Sequence, residues 1–155
     1  MNVNDLKTSP EGIEIIKRHE AFRSKPYLCP AGVPTIGYGA TYYTFGHKVK
    51  MTDPEITQLD AENLLKKMLK HFEAGVNRYV QREITQNQFD SIVSFSYNLG
   101  LGALQRSTLL QVVNKNPNDK DIKYQFSRWV RANGKKLKGL VKRRKEEANL
   151  YFKTN

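Results

Sequence analysis

The sequence predicts an α+β fold, mainly helical, with a small antiparallel β lobe and a C-terminal helical bundle joined by one long helix. Three observations lead there. Residues 26–50 set glycines 32, 37, 39 and 46 among Val33, Ile36, Tyr42, Tyr43 and Phe45, the texture of short strands and tight turns. Residues 57–80 place Ala61, Leu64, Leu65, Met68, Leu69, Phe72 and Val76 at spacings of three and four, the period of one helix face. Beyond residue 81, the capping box Thr85-x-x-Gln88 opens the first of several shorter helical segments.

The elements follow in order. Ser9-Pro10-Glu11 supplies a capping hydroxyl, a proline suited to the first turn and an acid near the positive end of the dipole. A helix is expected over about 10–21, with Ile13, Ile16 and His19 or Glu20 on one face and Glu20 near its C-terminal end. The β lobe occupies about 22–56 and the linking helix about 57–80. The helical lobe, about 81–155, begins with Phe89, Ile92, Val93 and Phe95, and Gly100 is suited to cap that helix at its C-terminus. Shorter helices are expected over 107–113 and 119–130, with Ile122, Phe126, Trp129 and Val130 inward, and a last one over 139–152. No repeat or low-complexity segment interrupts the chain, so residues 1–155 are expected to be one domain of two lobes with a ligand cleft between them.

Composition narrows the function classes. Hydrophobic residues make up 39% of the 155, which argues against disorder. No apolar run approaches the roughly twenty residues that span a bilayer. The N-terminal stretch MNVNDLKTSPEG has no apolar core and does not read as a secretory signal. Cys29 is the only cysteine, so no internal disulfide is possible. Twenty-six Lys and Arg against 15 Asp and Glu give a net charge of +11, which attracts polyanions: nucleic acid, an anionic membrane surface or a bacterial wall. His19, His47 and His71 lack metal-ligand spacing, so neither a metal nor another cofactor is expected.

The stretch HEAFRSKPYLCPAGVPTIGYG, residues 19–39, gathers an acid, the only thiol and a hydroxyl among turn-forming residues. Glu20 stands at the junction of the first helix and the β lobe, where Ile16 and Phe22 can partly desolvate it. Desolvation favours the protonated carboxyl, the form a general acid needs. Cleaving a glycosidic bond requires such an acid on the leaving oxygen and a second group that activates water or attacks directly. Cys29 and Thr35 are suited to that second task if the β lobe folds back over Glu20. The plainer alternatives are a solvated helix glutamate, a small buried thiol and an ordinary strand threonine.

Glu20, eight residues, Cys29, five residues, Thr35 and then Ile-Gly-Tyr-Gly resembles the active-site pattern of the phage-type lysozymes (glycoside hydrolase family 24, which includes the endolysins of the T-even phages). The segments ITQNQFDSIVSFSYNLG (84–100), STLL (107–110) and RWVRANGKKLKGLVKRR (128–144), with Glu147, resemble family segments in the same order. The resemblance runs from about Glu11 to Phe152. It implies a lysozyme-like catalytic domain: a muramidase that hydrolyses the β-1,4 bond between N-acetylmuramic acid and N-acetylglucosamine in peptidoglycan. Glu20 would be the general acid, and Thr35 would help to position the attacking water. Tyr38, Gly39, Gln105, Arg143 and Arg144 would bind substrate or support the site.

One position departs from that pattern. Cys29 stands where the family usually has Asp, although some members resemble this chain in carrying Glu-Cys-Thr. An Asp, with a reference pKa of about 3.9, is ionised at neutral pH, whereas a free thiol, at about 8.5, is mostly protonated. The basic neighbours Arg23 and Lys25 are expected to lower the Cys29 pKa, giving it thiolate character for orienting water with Thr35.

The run KKLKGLVKRRKEE, residues 135–147, reads as a solvated helix face, as a surface for anionic wall or nucleic acid, or as the source of an arginine, Arg143 or Arg144, that reaches Glu20. The expected partner is the peptidoglycan glycan strand. Dependence on a holin to leave the host cytoplasm is expected too, as is a monomeric state without a separate wall-binding domain. A specific nucleic acid is not expected as partner. The competing functions are a basic helical nucleic-acid-binding protein and a wall-binding relative with little activity.

Overall fold

The structure, a computed structural model, describes residues 1–154 and divides into two compact units, Lys17–His71 and a second made of Met1–Ile16 with the chain from Phe72 onward. Helix α1, Pro10–Glu20, starts where the capping chemistry places it: Gly12 N–H donates to the Ser9 hydroxyl at 3.3 Å. It ends one residue before the expected boundary, because Ala21 adopts φ +60°, a left-handed conformation that ordinary helix residues do not take.

The Lys17–His71 unit holds strands β1, Arg23–Leu28, and β2, Pro34–Gly37, paired antiparallel with Tyr27 opposite Thr35 and a bulge between Arg23 and Tyr27. The sheet is smaller than the 26–50 texture suggests. Residues 42–48 contribute one isolated bridge, Tyr42 to Lys48, because positive φ at Gly39 and Gly46 bends the chain before a ladder can extend. Helix α2, Gln58–Tyr79, opens in this unit, with Thr57 and Asp60 bonded reciprocally at 3.1 and 3.2 Å. Its Leu64 joins Ile36, Ala40 and Val49 in a small core, against which Tyr43, Ile56 and Met68 pack. Gly37 has to be glycine: its φ is +68°, and a Cβ there would come within 3.1 Å of Ala61 on α2.

The other unit is helical. Its centre is α3, Gln86–Leu99, where every residue from Asn87 to Ser96 is buried and the Thr85–Gln88 capping box is formed as read from the sequence. Gly100, at φ +95°, ends α3 and leads into α4, Leu101–Arg106, a helix the apolar periodicity did not reveal. Helices α5, Thr108–Lys115, and α6, Asp121–Ser127, follow. Strands β3, Arg131–Ala132, and β4, Lys135–Lys136, then form a hairpin turning at Asn133-Gly134, both at positive φ. Helix α7, Lys138–Phe152, closes the chain. Phe95, Phe126 and Tyr151 meet edge to face at 5.8 and 5.9 Å, and Phe95 also meets Trp129 at 5.4 Å; Trp129, expected inward on the helix, lies beyond the end of α6 and is half-buried at the edge of this core.

The first sixteen residues belong with these helices. The reason is a set of buried bonds: Thr8 donates its hydroxyl to Glu73 at 2.7 Å, Ser9 its N–H to Asp90 at 3.0 Å, and the Leu6 N–H and C=O bond the Asn77 amide at 3.2 and 3.0 Å.

Glu147, fully buried on α7, anchors the helical unit electrostatically. Its Oε2 accepts from Arg143 Nε at 3.2 Å and from the Ser94 hydroxyl at 2.6 Å, while Arg144 Nε lies 2.9 Å from Oε1 as a close ion pair. Arg144 also donates to Asn98 at 2.7 Å and lies over the Phe95 ring at 5.2 Å. Replacing Glu147 by Gln keeps the volume but removes the buried charge that both guanidinium groups face. The expected loss is about 3–5 kcal/mol of unfolding free energy in urea titration. A loss below about 1 kcal/mol would remove the cluster from its structural role.

Candidate active site

The tip of the β1–β2 hairpin sets the chemistry. Pro30 follows Cys29, and the Gly32 N–H closes a turn on the Cys29 carbonyl at 2.8 Å, with Gly32 at φ +78°. The Cys29 N–H then donates to the Val33 carbonyl at 3.1 Å, and the buried Thr35 hydroxyl donates to that same carbonyl at 2.8 Å. The Cys29 backbone and the Thr35 hydroxyl are therefore held by one carbonyl.

The Cys29 side chain is half-buried, and its thiol pKa lies below the ordinary value. Hydrogen bonding from the backbone at Val33 is the main cause. Partial desolvation opposes it, and the backbone at Ala31 and the Thr35 hydroxyl add to the lowering. Arg23 and Lys25, expected from the sequence to act on the thiol, are not among the causes. The Arg23 guanidinium instead lies over the Tyr27 ring at 4.2 Å, because the bulge between them brings both to one place. Since the Thr35 hydroxyl reaches both the Val33 carbonyl and the sulfur, its single proton can turn to stabilise a thiolate as one forms.

Tyr27 ties Glu20 to this group. Its phenol pKa is raised, first by burial and then by the negative charge of Glu20; Arg23 opposes the rise and Cys29 contributes to it. The phenol thus lies in the electrostatic reach of both the acid at the end of α1 and the thiol at the hairpin tip. Glu20 is partly buried, next to the fully buried Ile16 in sequence. Glu20, Tyr27, Cys29 and Thr35 are linked within Lys17–His71 through Tyr27, which stands opposite Thr35 and feels the charge of both the acid and the thiol. Sequence reasoning missed Tyr27. The strand alternation that puts Tyr27 and Cys29 on one face was present in the sequence, but its pairing with Thr35 appears only with the register.

The supporting residues divide between the units. Tyr38 and Gly39 lie with Glu20. Tyr38 is buried: its hydroxyl accepts from Gln58 at 3.1 Å, its ring packs on Phe22 at 5.8 Å, and Lys17 Nζ lies over it at 5.7 Å. Gly39, at φ +91°, turns the chain after it. Gln105 is exposed on α4 of the helical unit, and Arg143 and Arg144 are buried there on Glu147. Among the described residues no three His, Cys, Asp or Glu side chains converge as metal ligands, and no helix is long and apolar enough to cross a membrane.

Residues 17–147 match the family described as Phage lysozyme. The endolysin of Bacillus phage B103 is 39% identical over 151 residues, covering 95% of this chain and 54% of that protein. The endolysin of Acyrthosiphon pisum secondary endosymbiont phage 1 is 38% identical over 150 residues, covering 94% of this chain and 98% of that protein. Among solved structures, the endolysin from Escherichia coli O157:H7 phage FAHEc1 superposes with a TM-score of 0.87 at 35% identity, covering 98% of this chain and 96% of that one. The chain spans about half the length of the Bacillus phage endolysins it matches, 54% and 55%.

The thiol environment has a measurable consequence. A lowered pKa means more thiolate at any given pH, so the rate of Cys29 alkylation by iodoacetamide should reach its half-maximum at lower pH than that of free cysteine measured alongside. Thr35→Val removes one donor to the thiolate and should move that midpoint upward. A native midpoint at or above that of free cysteine would show that the turn does not favour the thiolate.

Proposed function

The chain belongs to the phage lysozyme family, and from that premise we propose that it is an endolysin hydrolysing the β-1,4 bond between N-acetylmuramic acid and N-acetylglucosamine in peptidoglycan. The grouping of an acid, a thiol of lowered pKa and a hydroxyl within one small unit is the observation that supports it most directly. The family match favours this reading over a nucleic-acid-binding protein, which would leave that grouping unexplained.

In this reading Glu20, in its protonated form, donates a proton to the glycosidic oxygen as the C1–O bond breaks. Water attacks C1 from the opposite face and gives its proton to the Cys29 thiolate, while Thr35 orients it. The products are two sugar hydroxyl ends, a Glu20 carboxylate and a Cys29 thiol. One proton passing from thiol to carboxylate through solvent restores the starting state. A thiolate takes over the task of the family's usual Asp only if its pKa is depressed, and the hairpin turn supplies that depression. Tyr27, kept neutral by burial, fixes the space between acid and thiol without adding a charge. Tyr38 and Gly39 shape the wall behind them. The glycan strand is the partner, the monomer the working state, and a holin-made opening the route from host cytoplasm to wall.

Turbidity loss of outer-membrane-permeabilised Gram-negative cells tests this. Glu20→Gln should lower the lysis rate by about 10²–10⁴-fold with the fold intact. Cys29→Ser should be severely impaired and Cys29→Asp should retain activity. Full lysis by the Ser variant would take Cys29 out of the chemistry, and full lysis by Glu20→Gln would end the proposal. NMR assignment of the product anomer separates water attack, which inverts C1, from attack by sulfur, which retains it.

A further inference from the structure

The Lys17–His71 unit carries a concavity, none of whose lining residues is Glu20, Tyr27, Cys29 or Thr35. Its volume is about 530 Å³, within the size range of small-ligand sites. The buried Leu64 and half-buried Ile56, both part of the unit's apolar packing, supply an apolar floor. Phe45, 69% exposed, stands at its side stacked on Tyr43 with ring centroids 5.3 Å apart and planes 10° from parallel. Asp53 and Asn63 bring polar groups to the same hollow. Asp53 Oδ2 accepts from the Tyr43 hydroxyl at 2.7 Å and the Lys50 N–H at 2.8 Å, which fixes the carboxylate and leaves Oδ1 outside both bonds. Those donors hold the Asp53 pKa below its usual value, so the group is an acceptor.

Tyr43, Phe45 and Asp53 also line a smaller hollow, of about 310 Å³, whose other residues are His47, Lys48 and Lys50. The aromatic stack therefore has a mildly acidic, amide-bearing hollow beside one that is basic. A ligand extended across both would carry a neutral polar ring with an apolar substituent, followed by a ring bearing an acid. An amino-sugar polymer alternating an N-acetylhexosamine with a carboxylate-bearing one has that chemistry.

We propose that the two hollows form an auxiliary glycan-strand site that holds one disaccharide repeat apart from the reacting linkage. This rests on the peptidoglycan reading given above. The neutral sugar lies in the larger hollow, its C–H face on Phe45, its acetamide methyl toward Ile56 and Leu64, and its donors toward Asp53 Oδ1 and the Asn63 amide. The acid-bearing sugar lies in the smaller hollow, its carboxylate toward Lys48 and Lys50. A simple cation is disfavoured by those lysines, and a polyphosphate by Asp53 and Asp60 in the larger hollow. A second hold on a polymeric substrate raises its effective concentration at the first site.

The test is an amide NMR titration of the Glu20→Gln chain with two probes: tetra-N-acetylchitotetraose, and a muramic-acid-containing tetrasaccharide freed of peptide. Both should shift the Gly46 and Asn63 amides. Phe45→Ala, at an exposed position whose loss leaves the core intact, should weaken both about tenfold at those amides. Lys48→Ala with Lys50→Ala should weaken only the muramic-acid probe. Shifts confined to Tyr27 and Thr35, or Gly46 and Asn63 shifts that survive Phe45→Ala, overturn the auxiliary site and leave the catalytic reading standing. A lysine pair whose loss affects both probes alike, or neither, overturns the place given to the acid-bearing sugar. Unmoved Tyr27 and Thr35 resonances, with no wall hydrolysis by the native chain, overturn the catalytic reading instead.

Discussion

One peptide carbonyl, that of Val33, receives both the Cys29 N–H and the Thr35 hydroxyl. The β lobe's chemistry depends on that shared acceptor. It closes the hairpin at the width that puts Tyr27 opposite Thr35, and the same turn directs backbone donors at the sulfur. A thiol on a regular strand would meet none of them. The depression of its pKa comes from fixed local dipoles, not from the many lysines and arginines of the chain. Such dipoles are oriented by the fold itself and are little weakened by salt, whereas the exposed charges around them are screened within about 10 Å.

The chain's positive charge has two different fates. Arg143 and Arg144 are withdrawn from solvent and paired with Glu147. Hydrogen bonds from Ser94 to Glu147 and from Arg144 to Asn98 add to the ion pairs that offset the burial of three charges. Most of the remaining lysines stay exposed, including those of the β3–β4 hairpin and the first turn of α7. They supply the long-range attraction to anionic polymers that the composition announces. The run at 135–147 is thus not one surface: its solvated lysines and its buried ion cluster alternate along a single helix.

Much of the fold was legible because it is written in local chemistry. Ser9-Pro10, Thr85-x-x-Gln88 and Gly100 act through groups within four residues of each other, and each appears where the sequence places it. The apolar period of 57–80 likewise needed only the helix repeat. What escaped was short or non-local. The six-residue helix α4 is too brief for periodicity to register. The Asn133-Gly134 turn was a readable hairpin signal, overlooked because its strands are two residues long and charged. Residues 42–48 have strand propensity but fold back on themselves around Gly46, with Tyr43 N–H bonded to the His47 carbonyl, so propensity alone overstated the sheet.

The spacing of Glu20, Cys29 and Thr35 along the chain, and the replacement of a carboxylate by a thiol, belong to the sequence by itself, since residue identity and separation are covalent facts. Which groups surround them does not. Tyr27 enters the cluster through strand register, Arg23 leaves the sulfur for an aromatic ring through a bulge, and Glu147 becomes the partner of two arginines through helix packing. A pKa, a bonding partner or a pocket depends on what lies within a few ångströms in space. Only the tertiary structure brings residues distant in the chain to that range.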